Sequence, residues 1–231
     1  MSSKAAMSLA ITDKTLNRRE VEQQALKGEF VTLIACHLDE VDLSRLPLAG
    51  WVFQHCTLER TNFEKASLEG ARFVSCRGAF SSFVGAALED AEFLGCDFNN
   101  GNYRRAKLGS VNFARCKLTG ADFTDGQALD VRFDETLLVY AKLPARSFRK
   151  SHLRQIDFSG SDLRSCDFRD AIFDGCSLRN ADLTHCRFEG ADLRGADLGG
   201  LTIGNAERFK GAIISYAQAG GLLAQLGLTV V

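Results

Sequence analysis

Eight cysteines and four histidines are the side chains with which this 231-residue sequence could do chemistry. Such residues ligate metals, close disulfides, or serve as nucleophile and general base. Their spacing argues against all three roles. There is no CxxC pair, no Cys/His cluster and no convergent Ser/His/Asp set. Cys36, Cys56, Cys76, Cys96, Cys116 and Cys176 instead share one phase of a twenty-residue count, with Cys166 and Cys186 offset by half a period. Read this way they are reduced, buried small hydrophobes of a cytoplasmic protein. The glycine-rich run GADLRGADLGG lacks the strand–turn–helix setting of a phosphate loop. No catalytic residue, cofactor or metal is expected, and the chain does not read as an enzyme.

What positions these residues is an internal repeat. A count of five from Leu33 to Ile203 visits 35 positions, of which 17 are Leu, 14 are Phe, and two are Tyr103 and Ile203; only Gly78 and Ala128 are small. Two residues before each centre stands a small side chain, as at Ala66, Ala71, Ser81, Ala86 and Ala91, and all eight cysteines take this slot. The remaining positions are polar, and the four histidines, His37, His55, His152 and His185, lie among them. A period of five is neither helical nor that of a flat strand. One unit cannot bury its large side chain alone, so the units must wind and stack.

The cysteine ladder suggests four units, or twenty residues, per coil. Charges give an independent test. Between residues 30 and 205, charged pairs twenty apart number fifteen of opposite sign and five of like sign, although the span holds 24 acids and 21 bases. Asp134, Arg154, Asp174 and Arg194 alternate along one such ladder.

The units ADLTH, ADLRG and ADLGG carry the A-(D/N)-L-x-x pattern, and the chain resembles the pentapeptide-repeat family over about three quarters of its length. The resemblance implies an all-β solenoid: a right-handed quadrilateral β-helix, here followed by a short C-terminal helix. Three segments are expected. Residues 1–29 form a leader and possible capping helix, 30–205 the β-helix, and 206–231 a C-terminal helix and strand.

Residues 1–12 read as poorly ordered. A short helix is expected within 13–28, with Asp13 or Thr15 as N-cap and Gly28 as stop. After Ile203, apolar residues at Tyr216, Ala219, Leu222, Leu223 and Leu226 form a helical stripe ended by Gly227, and 228–231 read as a strand. This element either plugs the last coil or forms a homodimer interface through Tyr216, Ala219, Leu222, Leu223, Leu226, Leu228 and Val230; the interface is the preferred reading. The tail GAIISYAQAGGLLAQLGLTVV also resembles the dimerisation segment of Qnr-type quinolone-resistance and microcin-immunity proteins. Here the matching residues are Gln218, Ala219, Leu222, Leu223, Leu226, Gly227 and Leu228.

Several residues break the rule. Leu46 and Trp51 overfill small slots beside Pro47, so the second coil should be widened or bulged. Gly78 and Ala128 leave slots underfilled; a shifted backbone is favoured over a void or filling by Phe80 and Leu129. Arg146 takes an inward slot, so a bulge at 144–147 should turn it outward, and 136–152 is the stretch that could hide a loop. Val139 and Tyr140 read as exposed nearby.

The net charge of −1 gives no basic footprint for nucleic acid, and no apolar run reaches eighteen residues, so neither direct nucleic-acid binding nor a membrane span is expected. The resemblance implies binding to DNA gyrase or topoisomerase IV and protection from quinolones or peptide toxins, with partial DNA mimicry as one mechanism. The candidate partner contacts are Glu89, Asp90, Asp130, Val139, Tyr140 and Arg146. The competing reading is a scaffold, adaptor or secreted effector without a topoisomerase role.

Overall fold

The computed structural model describes residues 9–127, 130–200, 209–224 and 227–228. The chain forms two compact units, residues 1–132 and 133–231.

In the first unit, strands β1 (Leu9–Thr12), β2 (Val31–Ile34), β3 (Val52–Gln54), β4 (Arg72–Val74), β5 (Glu92–Leu94) and β6 (Asn112–Ala114) pair in parallel in chain order. From β2 onward each residue faces the one twenty further on: Phe53 pairs with Phe73, Phe73 with Phe93, and Phe93 with Phe113. Isolated bridges repeat that offset on three further faces, as along His37, Thr57, Arg77, Asp97 and Lys117. The fold is the four-sided parallel β-solenoid expected from the sequence, with twenty residues per coil.

Each coil turns four corners, and the last residue of most five-residue units adopts a left-handed backbone, as at Arg60 (φ 53°), Lys65 (φ 55°) and Gly70 (φ 63°). Non-glycine residues there cost roughly 1–2 kcal/mol each. The corner amide then bonds to the next coil, as Arg60 N–H does to the Ala79 carbonyl at 2.9 Å, which helps offset that cost.

Inside, Phe53, Phe73, Phe93 and Phe113 stack at 4.6–4.7 Å between centroids. Phe63, Phe83, Tyr103 and Phe123 make a second column at 4.7–4.9 Å. The two columns meet edge to face, as at Phe73–Phe83 (6.0 Å, 89°), an arrangement that aromatic quadrupoles favour.

Two expectations about irregular coils are corrected. The second coil is not bulged: Pro47 bridges Ser67 in register, and Leu46 and Trp51 are buried. The slots twenty residues on hold Ala66 and Ala71, which leave room for the larger side chains. At Gly78 the backbone is also regular, its N–H bonded to Asp97 O at 2.7 Å, and Phe80 is 54% exposed. The gap is filled from the next coil: a Cβ on Gly78 would lie 2.1 Å from the Phe98 ring. Ala128 and Leu129 lie outside the described residues.

The N-terminal end differs from expectation as well. Residues Leu9–Thr12 are a strand, not disordered, and Asp13 and Thr15 continue that edge through Asp13 N–H to Ile34 O and the Thr15–His37 bridge. Helix α1 (Arg18–Ala25) therefore starts later, capped by Asn17, whose side chain accepts from Glu20 N–H while Glu20 accepts from Asn17 N–H. This reciprocal capping box satisfies two orphan amides. Arg18 donates to the carbonyls of Asp42 (2.8 Å) and Ser44 (3.2 Å). In later coils such carbonyls accept from the preceding coil, as Asn62 O does from Leu43 N–H, so Arg18 replaces the missing strand at an open edge. Gly28 (φ 68°) closes the turn after the C-cap, Leu26.

In the second unit, Asp134 of β7 (Arg132–Asp134) pairs with Arg154 of β8 (His152–Arg154), β8 pairs with β9 (Ile172–Asp174), and β10 (Cys176–Ser177) with β11 (Ala196–Asp197). Residues 136–152 hold no projecting loop: Leu137, Lys142 and Ser147 bridge Asp157, Asp162 and Asp167 in turn. The expected bulge at 144–147 is absent too. Ala145 takes the usual corner (φ 56°), and Arg146 stays in its slot, half-buried. A partly exposed slot keeps the guanidinium near water, so no backbone distortion is required.

Helix α2 (Tyr216–Ala224) opens with a second capping box: Ser215 N–H donates to Gln218 Oε1 (2.7 Å) and Gln218 N–H to Ser215 Oγ (3.2 Å). The Gln218 amide also donates to the carbonyls of Leu193 and Ala196, both at 2.7 Å, tying the helix to the coil edge. Gly227 (φ 76°) ends the turn as expected; its N–H bonds Ala224 O while Leu228 N–H bonds Leu223 O, a Schellman closure.

Candidate partner-binding surfaces

The aspartates of the repeat have a structural task. In most such units the carboxylate accepts the backbone N–H two residues on, as from Asp122 to Thr124 (2.9 Å), Asp157 to Ser159 (2.9 Å) and Asp182 to Thr184 (3.0 Å). These are Asx turns, which form the corner after each inward Leu or Phe.

In the second unit arginines take up many of the remaining lone pairs. Arg164, Arg169 and Arg194 each bind bidentately to the aspartate two residues earlier, Asp162, Asp167 and Asp192, at 2.6–2.9 Å. Arg154 grips Asp134 and reaches Glu135 at 3.0 Å, and Arg179 pairs with Asp197. These guanidinium forks hold Asp162, Asp167 and Asp192 below the ordinary carboxylate value of 3.8. A depressed native value stabilises fully above the unfolded pKa and is lost as pH falls through the native one. Thermal melts should therefore show a second unit indifferent to pH from neutrality to about 4, then less stable with further acid. The triple change Arg164→Ala, Arg169→Ala, Arg194→Ala should flatten that acid limb; an unchanged limb would show that the pairs do not contribute.

The candidate contacts are dispersed. In the first unit Asp90 and Asp130 are exposed and Glu89 is half-buried, with one carboxylate oxygen lacking a hydrogen-bond partner. In the second, Tyr140 is 70% exposed but Val139 only half-exposed, and Arg146 lies in the slot whose next rung is Cys166. The four histidines are exposed, as expected. No three His, Cys, Asp or Glu side chains among the described residues form a metal cluster. No helix among them is long and apolar enough to cross a membrane.

The C-terminal stripe is incompletely covered. Tyr216 is 97% and Leu228 54% exposed, Ala219, Leu222 and Leu223 are half-buried, and Leu226 and Val230 lie outside the described residues. Between α2 and the coil edge runs a groove of about 410 Å³ lined by Leu198, Gly199, Gly200, Ala217, Gln218 and Leu222, among others. Sequence reasoning missed the Gln218 anchor; its signal was the Ser215-x-x-Gln218 spacing. It also missed a network on the first unit, where His37 Nδ1 lies 3.1 Å from Thr57 Oγ1, which donates to Asp39 at 2.6 Å.

A parallel solenoid of five-residue turns with inward Leu and Phe defines the class of protein. Family models described as "Pentapeptide repeat region" and "Pentapeptide repeats (8 copies)" match residues 49–123 and residues 147–180 and 161–200, together more than half of the sequence. The chain belongs to the pentapeptide-repeat family. No curated protein matches it. Among solved structures it is similar to trypsin-treated QnrB1, a plasmid-mediated fluoroquinolone resistance protein, with a TM-score of 0.75 and 24% identity over 87% of this chain and 99% of that one. Full-length QnrB1 gives 0.61 and 19% over 96% and 98%. HetL, a pentapeptide repeat protein involved in heterocyst differentiation regulation from the cyanobacterium Nostoc, gives 0.62 and 24% over 81% and 86%. At these identities the likeness establishes the fold.

Proposed function

We propose that this is a non-catalytic, dimeric binding protein that engages type II topoisomerase, DNA gyrase or topoisomerase IV, and protects it from poisons such as fluoroquinolones. The observation that carries the reading is a pentapeptide coil in each unit together with an anchored C-terminal helix whose apolar side chains are incompletely covered, Tyr216 most of all. The similarity to QnrB1 over nearly the whole chain supports it. Recognition rests on shape and specific contacts more than on phosphate mimicry, because so many carboxylates of the second unit already serve turns and arginine pairs. Any phosphate-like contact falls to the first unit, at Glu89, Asp90 and Asp130.

Sedimentation of the chain with purified gyrase or topoisomerase IV tests the reading: a co-sedimenting complex is expected, and two independent boundaries at micromolar concentrations would refute it. The dimer has its own test. Tyr216→Asp with Leu228→Asp should halve the mass in light scattering while the coil stays folded; an unchanged mass would exclude this interface. A scaffold role is the second reading, favoured by the charge pairing of the second unit and the similarity to HetL.

A further inference from the structure

We propose that a groove around Ala79, on the first unit, docks the carboxylate of an acidic segment of a partner protein. The groove measures about 380 Å³ and is lined by Glu59, Arg77, Ala79, Asp97 and Asn99, among others. It lies on the face where Thr57, Arg77 and Asp97 bridge one another on successive coils.

A hydrogen bond made on the neighbouring coils is missing there. On this face the amide just before the corner is met by a side-chain oxygen. Glu59 N–H donates to Asp39 of the preceding coil at 2.7 Å, Asn99 N–H to Asp97 of its own coil at 3.3 Å, and Thr119 N–H to Asn99 at 2.9 Å. Ala79 N–H has no hydrogen-bond partner among the described residues. Arg77 stands where Asp97 stands one coil on, and a guanidinium cannot accept. Glu59, in the place from which Asp39 serves, is turned to Arg60 at 3.0 Å.

The other unused groups in the groove are donors too. The Arg77 guanidinium has neither a hydrogen bond nor an ion pair among the described residues, and Asn99 Nδ2 has no acceptor there while Oδ1 is held by Thr119. The carboxylates of the same wall are already matched. Asp39 accepts from Thr57 O–H and Glu59 N–H, Glu59 faces Arg60, and Asp97 accepts from Asn99 N–H with Lys117 4.0 Å away. A guanidinium, an amide and a carboxamide without acceptors suit an anion.

The open seat is the one that an aspartate oxygen fills at Glu59, so the ligand is a carboxylate. At the adjoining corner Phe80 is 54% exposed, with Arg60 5.5 Å over its ring. An aromatic and arginine shoulder beside that seat fits a protein segment, an acidic residue flanked by aliphatic ones, better than a free ion.

The test titrates the isotope-labelled full-length protein with the capped peptide acetyl-Gly-Leu-Asp-Leu-Gly-amide, read by NMR. Saturable shifts of the Ala79 N–H and Arg77 Nε–H signals are expected at millimolar peptide, and none with the peptide carrying Asn in place of Asp. Arg77→Gln should weaken binding by about 10-fold or more. Glu59→Asp should block it by a different route, supplying the missing oxygen from within as Asp39 does one coil earlier. Both positions are exposed, so the remaining signals of each variant should stay in place. Sodium acetate is the free-anion arm: acetate that binds as tightly as the peptide would reduce the groove to an ion site and overturn docking. Absent shifts in the native chain, or unchanged peptide binding in Arg77→Gln or Glu59→Asp, overturn the proposal as well. The outcome is independent of whether the protein binds a topoisomerase.

Discussion

Phe93→Ala is expected to lower the unfolding free energy by about 3–5 kcal/mol, measured by urea denaturation. Phe93 has no exposure and stacks between Phe73 and Phe113 at 4.6 and 4.7 Å. It also meets Phe83, Phe98 and Tyr103 edge to face. Removing the ring leaves a void between neighbours fixed by the hydrogen-bonded coil, so little collapse can relieve it. A loss below about 1 kcal/mol would mean that the ring contributes far less than buried aromatics do.

The second large effect is unusual because it restores the repeat. Gly78 and Phe98 interrupt a column that otherwise reads Leu38, Leu58, Leu118 and Leu138 in the sequence count. Gly78→Leu returns the common residue, yet it must destabilise, because the Phe98 ring already occupies the space a Cβ would need. Overpacking of this kind costs about 1–3 kcal/mol or more. Phe98→Leu alone should also destabilise, by removing the filler and its edge contacts with Phe73, Phe83 and Phe93. Together the two changes rebuild a leucine column, so the double variant should be more stable than either single one, with a coupling of about 0.5–3 kcal/mol. Strict additivity would show that the two positions do not share one space.

Such a pair shows what the sequence does and does not disclose. The coil was legible because its interior is periodic: Phe53, Phe73, Phe93 and Phe113 could face one another only if twenty residues closed a turn, and the charge pairs agreed. Gly78 was visible as a gap, but its filler was not sought where it lay, one coil onward in the same column. Arg146 misled because an inward slot was equated with full burial; its slot is partly open. The start of α1 was misplaced because β1 pairs with β2 at an offset of 22, as at Leu9 and Val31, outside the five-residue count. The Asn17-x-x-Glu20 box was nevertheless present in the sequence.

The surface was least legible, for a physical reason. Outward residues satisfy corners and neighbouring charges, and many sequences can do both. Asp162 and Asp192 would serve a phosphate mimic equally well by composition, yet the structure ties each to an arginine two residues away. Which outward residues meet a partner is therefore a question for measurement on the assembled protein.

The most direct test of topoisomerase protection is a gyrase DNA-cleavage assay with a fluoroquinolone, titrated with this protein. Fewer drug-stabilised double-strand breaks and recovered supercoiling are expected at micromolar protein. Unchanged cleavage and supercoiling across that range would contradict the proposed function.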